Sequence, residues 1–306
     1  MTFPGIHDRP VHIEVFARTH VGMKRQQNQD SFLIADLSRS QAEGGFRLES
    51  DMAPEEMLIG RFVGGSKGAL LIAADGMGGA SAGAVASKLV SSYIYESVSA
   101  TWLADRNNAP SQFASRLVEA VEEANESVHT SGMKSPDLMG MGSTATVVGI
   151  LNDFLFVAQV GDSRAYLIRD GAAGQVTRDQ SIVQEMLDAG QLTEAEALAS
   201  ERRNVILQAL GANPTVSVDL TYHQVRRGDV VLLCSDGLSG QVSAEEIATA
   251  TGSGHDLVRA CDDLITLANE RGGPDNITVV AARLDGEGLQ EPGAGDDVGR
   301  RVYELP

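Results

Sequence analysis

Four acidic residues stand at the margins of apolar runs. Ala69-Leu-Leu-Ile-Ala-Ala-Asp75-Gly76 and Asp229-Val-Val-Leu-Leu-Cys-Ser-Asp236-Gly237 each end in Asp-Gly, whereas Asn28-Gln29-Asp30-Ser-Phe-Leu-Ile and Pro274-Asp275-Asn276-Ile-Thr-Val-Val start just after an acid. Runs of this length read as core strands. Laid side by side, they bring Asp30, Asp75, Asp236 and Asp275 together, and like charges a few ångströms apart must take up protons or hold cations between them. Donors that are all oxygen suit magnesium or manganese better than zinc, so the pattern points to a polynuclear site for hard metals. Any one Asp-Gly has a plainer explanation, because Asp bonds its local backbone in turns and Gly accepts positive φ. The ensemble does not reduce to that, since the Gly-rich turn Asp75-Gly-Met-Gly-Gly79 and the segment Gly161-Asp162-Ser-Arg164 accompany it.

These acids need a frame. Apolar runs predict strands near 11–17, 31–37, 57–63, 69–75, 143–150, 153–160, 163–169, 215–222, 229–235 and 276–284. Helical spacing predicts helices over 80–104, 111–130, 180–189, 243–250 and 255–270. The successive strands from Phe154 to Arg169 read as an antiparallel hairpin turning at Gly161-Asp162. The order of elements gives an α+β fold, with sheets stacked inside and helix pairs outside. Residues 1–284 are read as one catalytic domain, with an insertion at about 38–68 expected as an extra hairpin and a mobile flap at about 178–211. Residues 285–306, rich in Gly, Asp and Glu, are expected as a disordered acidic tail.

Composition narrows the function. A formal charge of −18 argues against a nucleic-acid binder, whose affinity comes from clustered Lys and Arg. No run approaches the roughly 20 apolar residues of a membrane span, and the start has no basic and apolar leader, so a cytoplasmic location is expected. Cys234 and Cys261 offer neither a disulfide framework nor a C-x-x-C pair and read as small buried hydrophobes. No G-x-x-x-x-G-K-[ST] or D-x-D occurs, Gly240 and Leu267 stand where a cysteine phosphatase has Arg, and the six histidines lack zinc-ligand spacing.

The motifs Gly22-x-x-Arg25-x-x-Asn28-Gln29-Asp30, Ala74-Asp75-Gly76-Met77-Gly78-Gly79, Gly142-Ser-Thr-Ala-Thr146, Val160-Gly161-Asp162-Ser163-Arg164, Cys234-Ser235-Asp236-Gly237-Leu238 and Gly273-Pro-Asp275-Asn276-Ile277-Thr278 occur in this order. Together they closely resemble the metal-dependent protein phosphatases of type 2C in their bacterial form, from about residue 12 to residue 284. The resemblance implies a four-layer α-β-β-α sandwich of two antiparallel sheets, with metals at one edge. It implies two core Mn2+ or Mg2+ ions and, from bacterial members, a third. Asp75 would bridge two metals, the Gly76 carbonyl would ligate the first, and Asp236 and Asp275 would hold the second. Asp162 would join Asp236 on the third ion, Asp30 would orient the metal-activated water, and Arg25 would grip the substrate phosphate. A guanidinium meets two phosphate oxygens at once, in a charge-assisted contact of roughly 1.5–3 kcal/mol, which Lys would not match.

Two departures accompany the match. Met77 stands where eukaryotic members carry a His thought to protonate the leaving alkoxide, and Gln180 stands where many bacterial relatives have His. The reading is therefore a phosphatase of phosphoserine and phosphothreonine proteins, opposed by a Ser/Thr kinase and monomeric, with Arg25, Asp30, Asp75 and Asp236 carrying catalysis. Two rivals share the fold: a phosphatase dedicated to a single regulator, such as an anti-sigma-factor antagonist, and a catalytically silent module that reads phosphoproteins. The silent module implies loss of metal-binding acids, and all five are present.

Overall fold

The computed structural model describes residues 10–38, 46–50, 57–79, 81–252 and 254–305, with Leu198 in backbone only. Among the described residues, thirteen strands form two antiparallel sheets. One sheet takes β10 (Ala172–Gln175), β9 (Arg164–Arg169), β12 (Val230–Cys234), β13 (Ile277–Asp285), β1 (Val11–His20) and β4 (Leu58–Gly64) in that spatial order. The other takes β11 (Asp219–Gln224), β8 (Phe154–Val160), β7 (Ala145–Leu151), β5 (Ala69–Met77), β2 (Asp30–Asp36) and β3 (Arg47–Glu49), and short β6 (Gly142–Ser143) pairs with β5.

Half-buried antiparallel strands alternate in polarity, yet β7, β8 and β12 are buried at every residue. Both faces of each sheet are covered, which is why the runs are continuous. Ile13, Val15, Leu71, Val148, Leu233 and Val280 fill the space between the sheets. Long helices α1 (Ala82–Ala104) and α2 (Pro110–Lys134) cover one outer face through Trp102, Phe113 and Leu117. A short helix α5 (Asp236–Ser239) with α6 (Ala244–Thr251) and α7 (Leu257–Glu270) covers the other through Leu238, Ile247 and Leu264. Local sequence sets the helix starts. Pro110 occupies the first turn of α2, Ser243 and Glu246 form a capping box on α6, and Asp256 caps α7. The α-β-β-α sandwich expected from the sequence is the observed architecture.

Three expectations differ from the structure. First, β8 and β9 are not a hairpin. β8 pairs with β7 and β11, whereas β9 pairs with β10 and β12. The chain changes sheet at Gly161, whose φ of 101° and contact with Thr144 leave no room for a side chain: a Cβ there would lie 2.6 Å from Thr144 Cγ2. Second, the described part of the 38–68 insertion is not a hairpin either, since β3 extends one sheet beside β2 and β4 extends the other beside β1; residues 39–45 and 51–56 lie outside the described residues. Phe46 stacks on Phe62 across this link.

Third, residues 285–305 lie along the sandwich instead of forming a disordered tail. Tyr303 N–H donates to the Leu220 carbonyl and Tyr222 N–H to the Arg301 carbonyl. The Tyr303 ring packs edge-on against Phe156 and Tyr222, and Arg226 pairs with Asp296 at 2.7 Å. One aromatic anchor and matched charges outweigh a polar composition. The 178–211 segment carries two short helices, α3 (Ile182–Asp188) and α4 (Glu194–Ala199), and is tied at its base by bridges Ser181–Ile206 and Ser143–Leu210.

Candidate active site

The strand margins named by the sequence meet at one end of the sandwich. Asp30 opens β2 directly across from Asp75, near the end of β5. Asp236 follows β12 as the first residue of α5, Asp275 lies two residues before β13, and Asp162 follows the sheet change at Gly161. The loop that carries Asp275 and the turn that carries Asp236 are pressed together, because a Cβ on Gly237 would lie 1.9 Å from the Asn276 carbonyl oxygen. Only glycine permits that approach.

Asp30 is the most elaborately held of the five. Ser235 Oγ and Thr278 Oγ1 each donate to its Oδ2 at 2.7 Å, and its backbone N–H donates to Asn28 Oδ1 at 3.1 Å. Thr278 in turn meets Thr19 at 2.7 Å, and Asn28 donates to Thr19 Oγ1 at 2.8 Å. Asn276 ties the loops, accepting from Gln29 N–H and donating to the Val21 and Gln27 carbonyls. The Asp75 N–H donates to Thr144 Oγ1 at 2.9 Å, and Thr144 meets Ser163 at 2.7 Å. The sequence reading quoted most of these residues inside motifs but gave them no role, and it missed Thr19. A hydroxyl or amide beside an acid at a strand margin was the available signal.

The electrostatics are unsatisfied. Burial, opposed by the Thr278 and Ser235 hydrogen bonds and reinforced by the Asp236 and Asp275 charges, pushes Asp30 up to about 7. Burial and then the Asp236 charge push Asp162 up to about 7. Asp236 rises to about 6, through burial and the Asp275 charge. Asp75 rises well above the usual carboxylate range, through burial and the neighbouring Asp30, Asp236, Asp162 and Asp275. Among the described residues, Asp30 Oδ1 and Asp236 Oδ1 are buried carboxylate oxygens without a hydrogen-bond partner. Buried polar atoms are rarely left so. Two orphaned oxygens and four acids that favour protons are what an all-oxygen set for hard divalent ions requires.

The acids are neighbours without being drawn in around one point: among the described residues, no three His, Cys, Asp or Glu side chains gather closely enough to ligate a common ion. Asp275 instead holds Arg25, which donates to it through Nε at 2.8 Å and Nη2 at 2.6 Å. Gly76 is buried beside Asp75 and donates its N–H to the Gln29 carbonyl. Gln180 fastens the base of the 178–211 segment to the Asp162 turn: Gly161 N–H donates to its Oε1 at 2.8 Å, and its own N–H donates to the Gly161 carbonyl. A cavity of about 500 Å³ opens from Asp162, Asp236, Asp275 and Arg25 towards α3, α4 and α6. Arg202 and Arg203 are exposed, and Arg203 reaches the cavity wall.

Comparison with known proteins accords with this geometry. A family model described as protein phosphatase 2C matches residues 59–279. A protein phosphatase 2C-type protein of Streptococcus pyogenes is 32% identical over 278 residues, covering 91% of this chain and all of that protein. The serine/threonine phosphatase stp of Listeria monocytogenes is 34% identical over 219 residues, covering 71% of this chain and 84% of its own length. The crystal structure of the catalytic domain of the serine/threonine protein phosphatase PstP in complex with two manganese ions superposes with a TM-score of 0.69 at 33% identity, covering 90% of this chain and 99% of that one. The chain belongs to the protein phosphatase 2C family.

Proposed function

We propose that this protein is a metal-dependent protein phosphatase that hydrolyses phosphoserine and phosphothreonine monoesters. The observation that carries the reading is the placement of Asp30, Asp75, Asp162, Asp236 and Asp275 as neighbours at one end of the sandwich, four of them held above the ordinary carboxylate range. Asp75, Asp236, Asp275, Asp162 and the Gly76 carbonyl would hold two Mn2+ or Mg2+ ions and a third; the PstP domain with two manganese ions supports the first two. Bound ions would supply Lewis-acid activation of the attacking water and charge balance for the phosphate. Asp30, fixed on one oxygen by Ser235 and Thr278, keeps its other oxygen free to orient that water and take its proton, and an affinity near neutrality suits the task. Arg25, paired with Asp275 in this structure, would grip the phosphate, since its guanidinium is the group that reaches two oxygens together. Met77 has no proton to give, so the leaving alkoxide takes its proton from no side chain at that position.

The substrates would be phosphorylated proteins, with a Ser/Thr kinase as the opposing enzyme and a monomer in the cytoplasm as the working form. Among the described residues no helix is long and apolar enough to cross a membrane. The deciding experiment is phosphate release from a phosphothreonine peptide with manganese, with magnesium and with chelator, beside Asp236→Ala. Metal-dependent release that the variant loses is the expected result. Folded protein that releases no phosphate with either metal would overturn the reading and favour a silent phosphoprotein-binding module.

A further inference from the structure

The cavity that starts at the acids is larger than a phosphoryl group needs. At about 500 Å³ it falls within the range of pockets that enclose whole small ligands. Its far half has a different chemistry from its floor. Val183 and Leu187 of α3 and Ala197 of α4 line one side, and Val242 and Ala244 at the start of α6 line the other. One pair of charges between the two halves is already matched. Arg164 donates to Asp179 through Nε at 3.0 Å and Nη2 at 2.7 Å, and Asp179 also accepts from Gln175 at 2.9 Å. A charged group from a substrate therefore finds Arg164 and Asp179 already engaged, whereas an apolar one finds these aliphatic side chains, with Gln184, Glu194, Arg203 and Asn204 at the same walls. Val183 and Leu187 are only half buried, so their apolar surface faces the cavity and is not consumed by the core, while half-buried Ala244 also packs against the core beneath α6.

Resting on the phosphatase reading, we propose that this half of the cavity is a side-chain pocket that selects substrates in which an apolar residue of leucine to phenylalanine size neighbours the phosphorylated Ser or Thr. The continuity of the cavity supplies the argument for its occupant. A phosphopeptide whose phosphate lies at Arg25 and the acids must pass its adjoining residues between α3 and α6, and burial of one such side chain releases apolar surface from water. Acidic neighbours meet the carboxylates of the floor.

The test uses the full chain with manganese. Substrates are p-nitrophenyl phosphate and phosphothreonine peptides of an alanine background that carry one Leu, Lys or Asp within three residues on either side. The expected result is a kcat/KM about tenfold higher for Leu than for Ala at one of these positions, carried mainly by KM. Leu187→Glu should abolish the Leu preference and shift it to Lys. Ala244→Trp should abolish it without any gain for Lys. The Leu-to-Ala ratio is read within each variant, so a general loss of activity cancels. Wild-type protein that hydrolyses p-nitrophenyl phosphate yet treats all peptides within twofold would overturn the pocket and leave the phosphatase reading standing. A ratio that both variants retain would overturn it too. Failure to hydrolyse p-nitrophenyl phosphate would overturn both.

Discussion

Strand β12 ends in buried acids at both extremities, Asp229 before it and Asp236 after it, roughly 20 Å apart. The two ends are built on opposite plans. At the first, Arg169 donates to Asp229 through Nε at 2.9 Å and Nη2 at 2.6 Å, and the Arg226 N–H donates at 2.7 Å. Burial still pushes Asp229 up, and the Arg169 hydrogen bonds pull it back. Arg226 is matched in turn by Asp296, which it draws down to about 2. At the second end, acids face acids, and buried carboxylate oxygens lack partners. Burial raises the acids in both places. What distinguishes the functional end is that its own residues leave the charge unbalanced, so a ligand must complete it.

The widest separation between the ends should come from matched substitutions. Asp236→Asn is expected to lower kcat/KM for a phosphopeptide by about 10³-fold or more, while thermal stability without metal holds or rises because a like charge is gone. Asp229→Asn should do the reverse, leaving kcat near wild type and costing about 3–5 kcal/mol of stability, since Arg169 keeps a buried charge without its partner. Paired measurements of phosphate release and denaturant midpoints decide the matter. Loss of activity without loss of stability at Asp229 would remove the distinction.

This contrast also shows what the sequence could disclose. The run from Asp229 to Asp236 presents an acid at each end, and nothing local tells which faces a guanidinium, because Arg169 lies on β9, 60 residues away in the chain. Continuous apolar runs revealed β5, β7, β8 and β12, and the motif order revealed the acids at their ends. Hidden were the facts set by long-range packing. The Gly161 turn gives no local sign that β9 joins the other sheet. Ser235 and Thr278 reach Asp30 across 205 and 248 residues. The tail looked solvated until Tyr303 found the Phe156 ring. Short edge strands such as β3 and β10 have too few residues to show a period.

A pH series should separate the two ends again, by an effect of roughly 2–4 kcal/mol. In the metal-free protein, Asp30 and Asp162 stand at about 7 and Asp236 at about 6, against about 4 in the unfolded chain. A raised acid binds its proton more tightly in the folded state, so its stabilising contribution is full below about pH 4 and lost as pH rises through 6–7. Asp296, lowered to about 2, contributes in the opposite sense: present above about pH 4 and lost on descent through 2. Melting temperature in chelator should therefore fall between pH 5 and 8. Manganese should flatten that fall, and Asp30→Asn should remove part of it. A profile in chelator as flat as that with manganese would show that the acids carry no excess protons.

The smallest expected effect tests whether the hydroxyls around Asp30 serve the fold or the chemistry. Thr278→Val keeps the shape of the side chain in β13 and deletes one donor to Asp30 Oδ2 together with the contact to Thr19. Loss of a hydrogen bond to a carboxylate costs about 1–2 kcal/mol, and it falls on the ionised form, so Asp30 should hold its proton to higher pH. The acidic limb of the pH–rate profile should then move upward, with kcat reduced several-fold at pH 6 and much less at pH 9. A merely structural Thr278 would lower stability and leave the limb in place, because packing does not distinguish the two protonation states of its neighbour. Ser235→Ala, which removes the other donor on the same oxygen, should move the limb in the same direction. Its effect combined with Thr278→Val should exceed the sum of the two, since the first deletion leaves Asp30 one donor and the second leaves that oxygen with neither.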